Sequence, residues 1–427
     1  MNIEKRQIGW ACFIVVLALT CPSLGQDLPT AKPEDVGVSS AKVEELSKFM
    51  QSLVDDGKIA GGVTMMARHG KVIHLKAVGM ADREEKKPMR TDSIFRIASM
   101  TKPITSVAIM MLWEQGKLGL DDPVSKYIPE FKEMKVLVSV DPLETRPAKR
   151  EITIRHLLTH TSGLTYGSSL KPVYDKHGIS GGLSTSEVNL AQMMKTLAGL
   201  PILFDPGDKF EYGMSTDVLG RVIEVVSGMT LDRFFDDKIL KPLGMNDTGF
   251  HVSQDKVGRL ASVYIPGEGG IRKLAGGEIG PGNLTSDYPY SKSHKYLAGG
   301  GGLCSTPSDY MRFCQMLLSG GAWNGVRLLR PETIKMMTAN QIGDMKLADV
   351  DVIDRFGFGF SVYSSDQRHH EQLRGAYAWF GHWSTSFRIS PHGDWVLVTM
   401  TQLVWDEKAT PVWFAQYEKI AAEAIQD

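Results

Sequence analysis

The spacing of apolar residues changes several times along this chain, and the changes divide it. After a polar, proline-containing lead-in over 26–37, Val43, Leu46, Phe49, Met50 and Leu53 recur at helical spacing behind Ser39 or Ser40 as a cap. Two strand-like runs follow, 62–68 and 72–79, separated by the turn residues His69-Gly70, which predicts a hairpin. Ile104, Val107, Ala108, Met111 and Leu112 restore a helical period that runs to about Gln115. Short helices are expected at 124–128 and, with a loop, within 152–164, and longer ones at 185–197 and from Val218, whose face is Val218, Leu219, Val222, Ile223 and Val226. From Val252 to Ala298 the chain is rich in Gly, Pro, Ser and Tyr, which reads as long loops over one face. A capped helix is expected over 310–318, strands over 356–363, 379–389 and 395–402, and a closing helix over 412–425. Strands at both ends around a helical middle predict an α+β fold with one antiparallel sheet assembled from the two termini.

The first 25 residues read differently. Lys5 and Arg6 precede an apolar stretch from Ala11 to Thr20, and Ser23-Leu24-Gly25 places small residues for cleavage before Gln26. The run is too short for a standard transmembrane helix. Export by a signal peptide, 1–25, to the periplasm or medium is therefore expected, with no stable membrane insertion after its removal. Cys21 raises a lipoprotein alternative, but Leu19-Thr20 before it is a poor lipobox. The remainder, 26–427, is expected to be one catalytic domain. Its α/β part covers about 36–110 and 299–427, and its helical and loop part about 111–298.

Composition changes this picture little. Hydrophobic residues make up 42% and charged residues 23% of the 427, an ordinary globular balance. A net charge of −1 favours neither nucleic acid nor an anionic membrane as partner. Cys304 and Cys314 could pair in an oxidising compartment, although Met311, Phe313, Met316 and Leu317 around Cys314 favour a buried free thiol. No Cys/His cluster has metal-ligand spacing, and His369-His370 reads as a solvated pair. Glycines 299–302 lack the spacing of a phosphate loop. No metal or cofactor is expected.

The chemistry-bearing stretch is Phe95-Arg96-Ile97-Ala98-Ser99-Met100-Thr101-Lys102-Pro103. Residues i and i+3 share a helix face, so the Lys102 amine can reach the Ser99 hydroxyl. A lysine with a lowered pKa can take a serine's proton, and a helix N-terminus favours negative charge developing beside it. Taken alone, Ser99 also fits an ordinary helix start. Histidines 156 and 160 read as packing residues beside this helix, satisfied by backbone groups.

The segments 95–102 and 154–164 and the glycine turn before Ser305 resemble serine β-lactamase-related proteins. The likeness is nearest to class C β-lactamases and β-lactamase-like carboxylesterases, and it spans about Pro33 to the C-terminus. It implies the β-lactamase/DD-peptidase-like fold and three active-site elements. Ser99 and Lys102 match the first. Tyr212-Gly213-Met214 stands where Tyr-x-Asn is usual. Trp379-Phe380-Gly381 matches the esterases' Trp-Gly-Gly, in preference to a rival register over 381–384.

The departures carry chemistry. Met214 cannot hydrogen-bond a substrate amide, and Trp379 offers no positive charge to a substrate carboxylate. The resemblance therefore implies a small-molecule ester substrate with a small or apolar acyl group, split through an acyl-enzyme. Tyr212, as phenolate or through a proton shared with Lys102, takes the serine proton; the backbone N–H groups of Ser99 and His382 form the oxyanion hole. Met214, Trp379 and Gly381 are expected to line the substrate pocket. The alternatives are a β-lactamase or D-Ala-D-Ala peptidase, and a non-catalytic binding protein of the same fold.

Overall fold

The computed structural model describes residues 28–280, 283–345, 347, 355–363 and 371–426. The expected signal peptide and His369-His370 lie outside these residues.

Helix α1 (Ser40–Asp55) starts where Ser39 accepts a hydrogen bond from the Lys42 N–H, and it buries Val43, Leu46, Met50 and Leu53. The expected hairpin follows as β1 (Gly61–Arg68) and β2 (Lys71–Asp82), with the short β3 (Lys87–Pro88) beyond. The remaining strands of the main sheet come from the far end of the chain: β4 (Arg355–Phe356), β5 (Ser361–Val362), β6 (Tyr377–Gly381), β7 (Thr385–Ser390) and β8 (Trp395–Thr401). The sheet order is β4-β5-β6-β7-β8-β1-β2-β3. Its centre is the antiparallel pairing of β1 with β8, Val63 opposite Met400 and Ala67 opposite Val396. Both strands are buried along their whole length. That is why their sequences are near-continuous apolar runs, without alternation.

Helix α8 (Thr410–Glu423) joins α1 on one side of the sheet around a core of Leu46, Leu397, Trp395 and Tyr417. The other side carries a larger core that extends into the helical part. There α2 (Thr101–Glu114) meets α6 (Ser215–Ser227), with α3 (Ile154–Leu158), α4 (Lys171–Lys176), α5 (Leu190–Ala198) and α7 (Pro307–Leu318) around them. This is the expected α+β architecture. Among the described residues no helix is long and apolar enough to cross a membrane.

Three elements differ from expectation. The single strand over 379–389 is two strands, β6 and β7, joined by a tight turn at His382-Trp383-Ser384 with Ser384 at φ 51°. Gly381 stands beside the turn, but the aromatic residues on either side read as a continuing strand. The helix expected from Thr185 starts at Leu190, where Asn189 and Gln192 form a capping box; the residues before it are irregular and wall a cleft. Strand 356–363 breaks into β4 and β5. A hairpin of 135–140 with 143–147 was not foreseen. Cys304 and Cys314 are buried free thiols.

Candidate active site

The site is built where the two halves of the chain meet. Phe95 and Arg96 pair with Ser305 and Cys304, and the Ile97 N–H donates to the Leu303 carbonyl at 3.0 Å, which fixes the chain just before Ser99. Ala98 then adopts φ 42°, a left-handed conformation that a β-carbon disfavours. The chain turns sharply through a 3-10 segment, 98–100, into α2. Ser99 emerges at the mouth of this turn and lines a cleft of about 510 Å³.

Lys102 lies in the first turn of α2 and is 1% exposed. Its ammonium donates to three oxygens: Ser99 Oγ at 3.1 Å, Tyr166 Oη at 2.9 Å and the Gly300 carbonyl at 2.7 Å. Burial lowers its pKa below the ordinary amine range, while the Asp217 carboxylate opposes that shift. Tyr212 precedes α6, and its ring centre lies 4.6 Å from Lys102 Nζ. Burial raises its phenol pKa, and the polar groups of Ser99 and Trp379 beside it offset this only in part. The structure thus brings Ser99, Lys102 and Tyr212 together, with Tyr212 as a neutral phenol at rest. A resting phenolate, one of the two forms expected, is disfavoured because desolvation outweighs the hydrogen bonds that would stabilise it.

Gly381 ends β6 against the serine turn; a β-carbon there would stand 2.3 Å from the Ile97 carbonyl oxygen and 2.3 Å from Thr385 Oγ1. This close approach sets His382 beside Ser99 on the wall of the cleft. The residues expected to line the pocket sit elsewhere. Met214 is fully buried at the start of α6, where its carbonyl accepts from the Asp217 N–H at 3.0 Å. Trp379 is 3% exposed and backs Tyr212, with ring centres 5.3 Å apart. Gly381 faces the serine turn rather than the cleft. For Met214 and Trp379, packing behind the reactive groups takes the side chain away from the pocket wall.

His156 and His160 behave as packing residues. His156 Nδ1 accepts from the Thr153 N–H at the start of α3, and His160 Nδ1 from the Gly213 N–H. The His160 ring lies 4.9 Å from that of Tyr212, and burial beside Lys102 holds it neutral. Two functional residues escaped the sequence reading. Tyr166 stands two residues after Leu164, just past the second matched segment. Asp217 is fully buried on α6. Its signal was an acid beside Val218, Leu219, Val222 and Ile223, the apolar face of a buried helix.

The family model described as Beta-lactamase matches residues 46–417. Protein Rv1367c of Mycobacterium tuberculosis is 34% identical over 371 residues, covering 83% of this chain and 88% of that one. Esterase EstB of Burkholderia gladioli is 36% identical over 293 residues, 66% of this chain and 71% of its own. Among solved structures, EstCE1, described as a hydrolase with promiscuous acyltransferase activity, superposes with a TM-score of 0.77 at 29% identity, covering 91% of this chain and 99% of that one. Simvastatin synthase (LovD) of Aspergillus terreus shares the fold, with a TM-score of 0.72 at 22% identity and coverage of 91% of this chain and 100% of that one. With the family model matched over most of its length, and a buried lysine three residues after a sharply turned serine, the chain belongs to the β-lactamase family and is a serine hydrolase of its esterase-related branch.

Proposed function

We propose that the protein is an exported carboxylesterase that cleaves small or apolar acyl esters through an acyl-enzyme on Ser99. Lys102, neutral for part of the time because burial lowers its pKa, takes the Ser99 proton across 3.1 Å as Oγ bonds to the ester carbonyl carbon. The backbone N–H groups of Ser99 and His382 receive the negative charge on the carbonyl oxygen. Tyr212 gives its phenol proton to the departing alkoxide and recovers one from the Lys102 ammonium. Water then attacks the acyl-enzyme by the reverse route, which frees the carboxylic acid and restores Ser99.

The observation that carries an ester over an anionic amide is the charge lining the cleft. Trp379 of the third active-site element lies behind Tyr212 and brings no charge to the cleft. Lys171, a cation on the cleft wall, is committed to Asp175 at 2.7 Å. Esterase EstB among the relatives supports the same reading. A β-lactamase or D-Ala-D-Ala peptidase is the second reading, favoured by the resemblance, at 26% identity, to an Escherichia coli protein described as a putative D-alanyl-D-alanine carboxypeptidase.

The test is a panel of p-nitrophenyl esters with nitrocefin, run on wild type and Ser99→Ala. Ester turnover faster than nitrocefin turnover, and abolished by Ser99→Ala, supports the proposal. Faster nitrocefin turnover replaces it with the second reading. Because Lys102 must shed its proton first, ester kcat/KM is expected to rise with pH and level off once the amine is neutral. Export is tested by sequencing the mature protein, which is expected to begin at Gln26.

A further inference from the structure

The mechanism uses the Lys102 amine but does not say what holds it. Lys102 has three donors, and its three acceptors come from separate segments: Ser99 from the serine turn, Tyr166 from the loop after α3, and Gly300 from the glycine turn before α7. Two of these segments converge on one buried carboxylate. Asp217 Oδ1 accepts from the Gly300 N–H at 3.3 Å and from Tyr296 Oη at 3.1 Å. The Gly300 peptide therefore presents its N–H to Asp217 and its carbonyl to Lys102. Asp217 Oδ2 and Tyr166 Oη also flank Gly300: a β-carbon there would stand 2.5 Å from the first and 2.7 Å from the second. Oδ2 is buried and has no well-aligned donor among the described residues.

We propose that Asp217 is a positioning residue for the serine-activating amine: through Tyr166 and the Gly300 peptide it fixes Lys102 in place, and its buried charge decides at what pH that amine is free to accept the Ser99 proton. The surrounding groups leave this task to Asp217. Tyr166, Tyr212 and Tyr296 are held neutral by burial, and so is His160 beside the amine. Burial raises the Asp217 carboxyl pKa to about 6 while the Lys102 ammonium opposes that rise, so above that pH a carboxylate stands here and favours the ammonium. It therefore acts against burial, which favours the free amine. A buried amine with no counter-charge would lose both its proton and its fixed geometry. With Asp217 in place it stays ordered and titrates within the working range.

The proposal rests on the serine-hydrolase reading, so its test uses a probe that reports on Ser99 directly. A fluorophosphonate reacts as Ser99 Oγ bonds to phosphorus, the P–F bond breaks and the hydroxyl proton passes to Lys102. The labelling rate is measured against pH for full-length wild type, Asp217→Asn and Tyr166→Phe, and the labelled peptide is identified. Asn can keep both Oδ1 hydrogen bonds and lacks only the charge. In Asp217→Asn the midpoint of the rise is expected to move to lower pH by about one unit, with labelling on the plateau retained. Tyr166→Phe removes one acceptor of the amine and the hydroxyl that lies beside Asp217 at Gly300, and is expected to move the midpoint in the same direction. An unchanged midpoint in a folded, labelled Asp217→Asn overturns the proposal, and so does loss of activity at every pH with no shift. If Asp217→Asn does not fold, Tyr166→Phe decides by the same criterion. Failure of both to fold assigns the network a purely structural role and also overturns it. Wild type that is not labelled at Ser99 refutes the serine nucleophile itself, a separate failure.

Discussion

At the scale of single residues, the site depends on places where a side chain is missing. Gly300 is the clearest. Any β-carbon there would press on both Asp217 and Tyr166. These are backed by packed helices and cannot retreat without moving Lys102. Gly300→Ala is therefore expected to lower kcat at least about 10-fold, as expected when reacting groups are displaced by a fraction of an ångström, while far-UV circular dichroism stays native. Wild-type turnover in that variant would show that the glycine turn does not hold the amine. Residue identity also explains what could be read from the chain in advance. Ser99 and Lys102 were legible from their spacing together with the motifs downstream, and Tyr212 from its place in the second element of the family resemblance. Tyr166 was not, because one tyrosine in a loop has no period and no partner until the fold supplies Lys102. Met214 was assigned to the pocket because it replaces an asparagine, but an apolar side chain at a helix start has more to gain by turning inward.

At the scale of elements, the site depends on how strands dock against turns. Strand β6 approaches the serine turn so closely that only glycine fits at 381. The hairpin turn after it carries His382 to the cleft. Gly381→Ala is expected to push β6 away and open the oxyanion hole, lowering kcat for p-nitrophenyl acetate about 100-fold, which corresponds to losing one such donor. Unchanged kcat would remove His382 from that role. The β1–β2 hairpin offers a second test, through pH. His74 Nε2 lies 2.8 Å from Thr64 Oγ1, and burial lowers the His74 pKa to about 4 from 6.5. The unfolded chain therefore takes up this proton first as pH falls. The stability held by neutral His74 is complete above pH 6.5 and declines as pH falls towards 4. The pKa difference corresponds to about 3 kcal/mol at most, at roughly 1.4 kcal/mol per unit. Urea unfolding at pH 7.5 and 4.5 should show a larger acid loss in wild type than in His74→Gln; equal losses would rule out this histidine as the cause. The hairpin was legible from its two strand-like runs and the His69-Gly70 turn between them. The bend that splits β6 from β7 was not, because Ser384 takes its left-handed φ under pressure from tertiary packing.

At the scale of the molecule, the sequence divides into an α/β part and an inserted helical part, but packing does not respect that division. A single core runs from Val63 and Met400 on the sheet through Ile104 and Met110 of α2 to Leu157, Val222 and Leu240 of the insertion. Helix α2 makes this unavoidable. It is buried on nearly all sides, packs on α6 of the insertion and shares one apolar core with the sheet. The apolar core of the insertion is therefore continuous with that of the sheet, whose inner face is covered by α7 packed on β8, β1 and β7. The two chain ends close the same unit. Arg68 donates to the Val36 and Gly37 carbonyls, Val38 bridges to Ile425, and Lys42 meets Glu423 at 3.2 Å beside the packed α1 and α8. The active site lies across the seam, with Ser99, Lys102 and Trp379 from one side and Tyr166, Tyr212 and Asp217 from the other. One cooperative transition is therefore expected. Heating followed by tryptophan fluorescence, far-UV circular dichroism and fluorophosphonate reactivity should give coincident midpoints. Reactivity lost well below the melting of secondary structure would mean that the helical part opens by itself, and that the seam through the catalytic groups is a hinge rather than a continuous core.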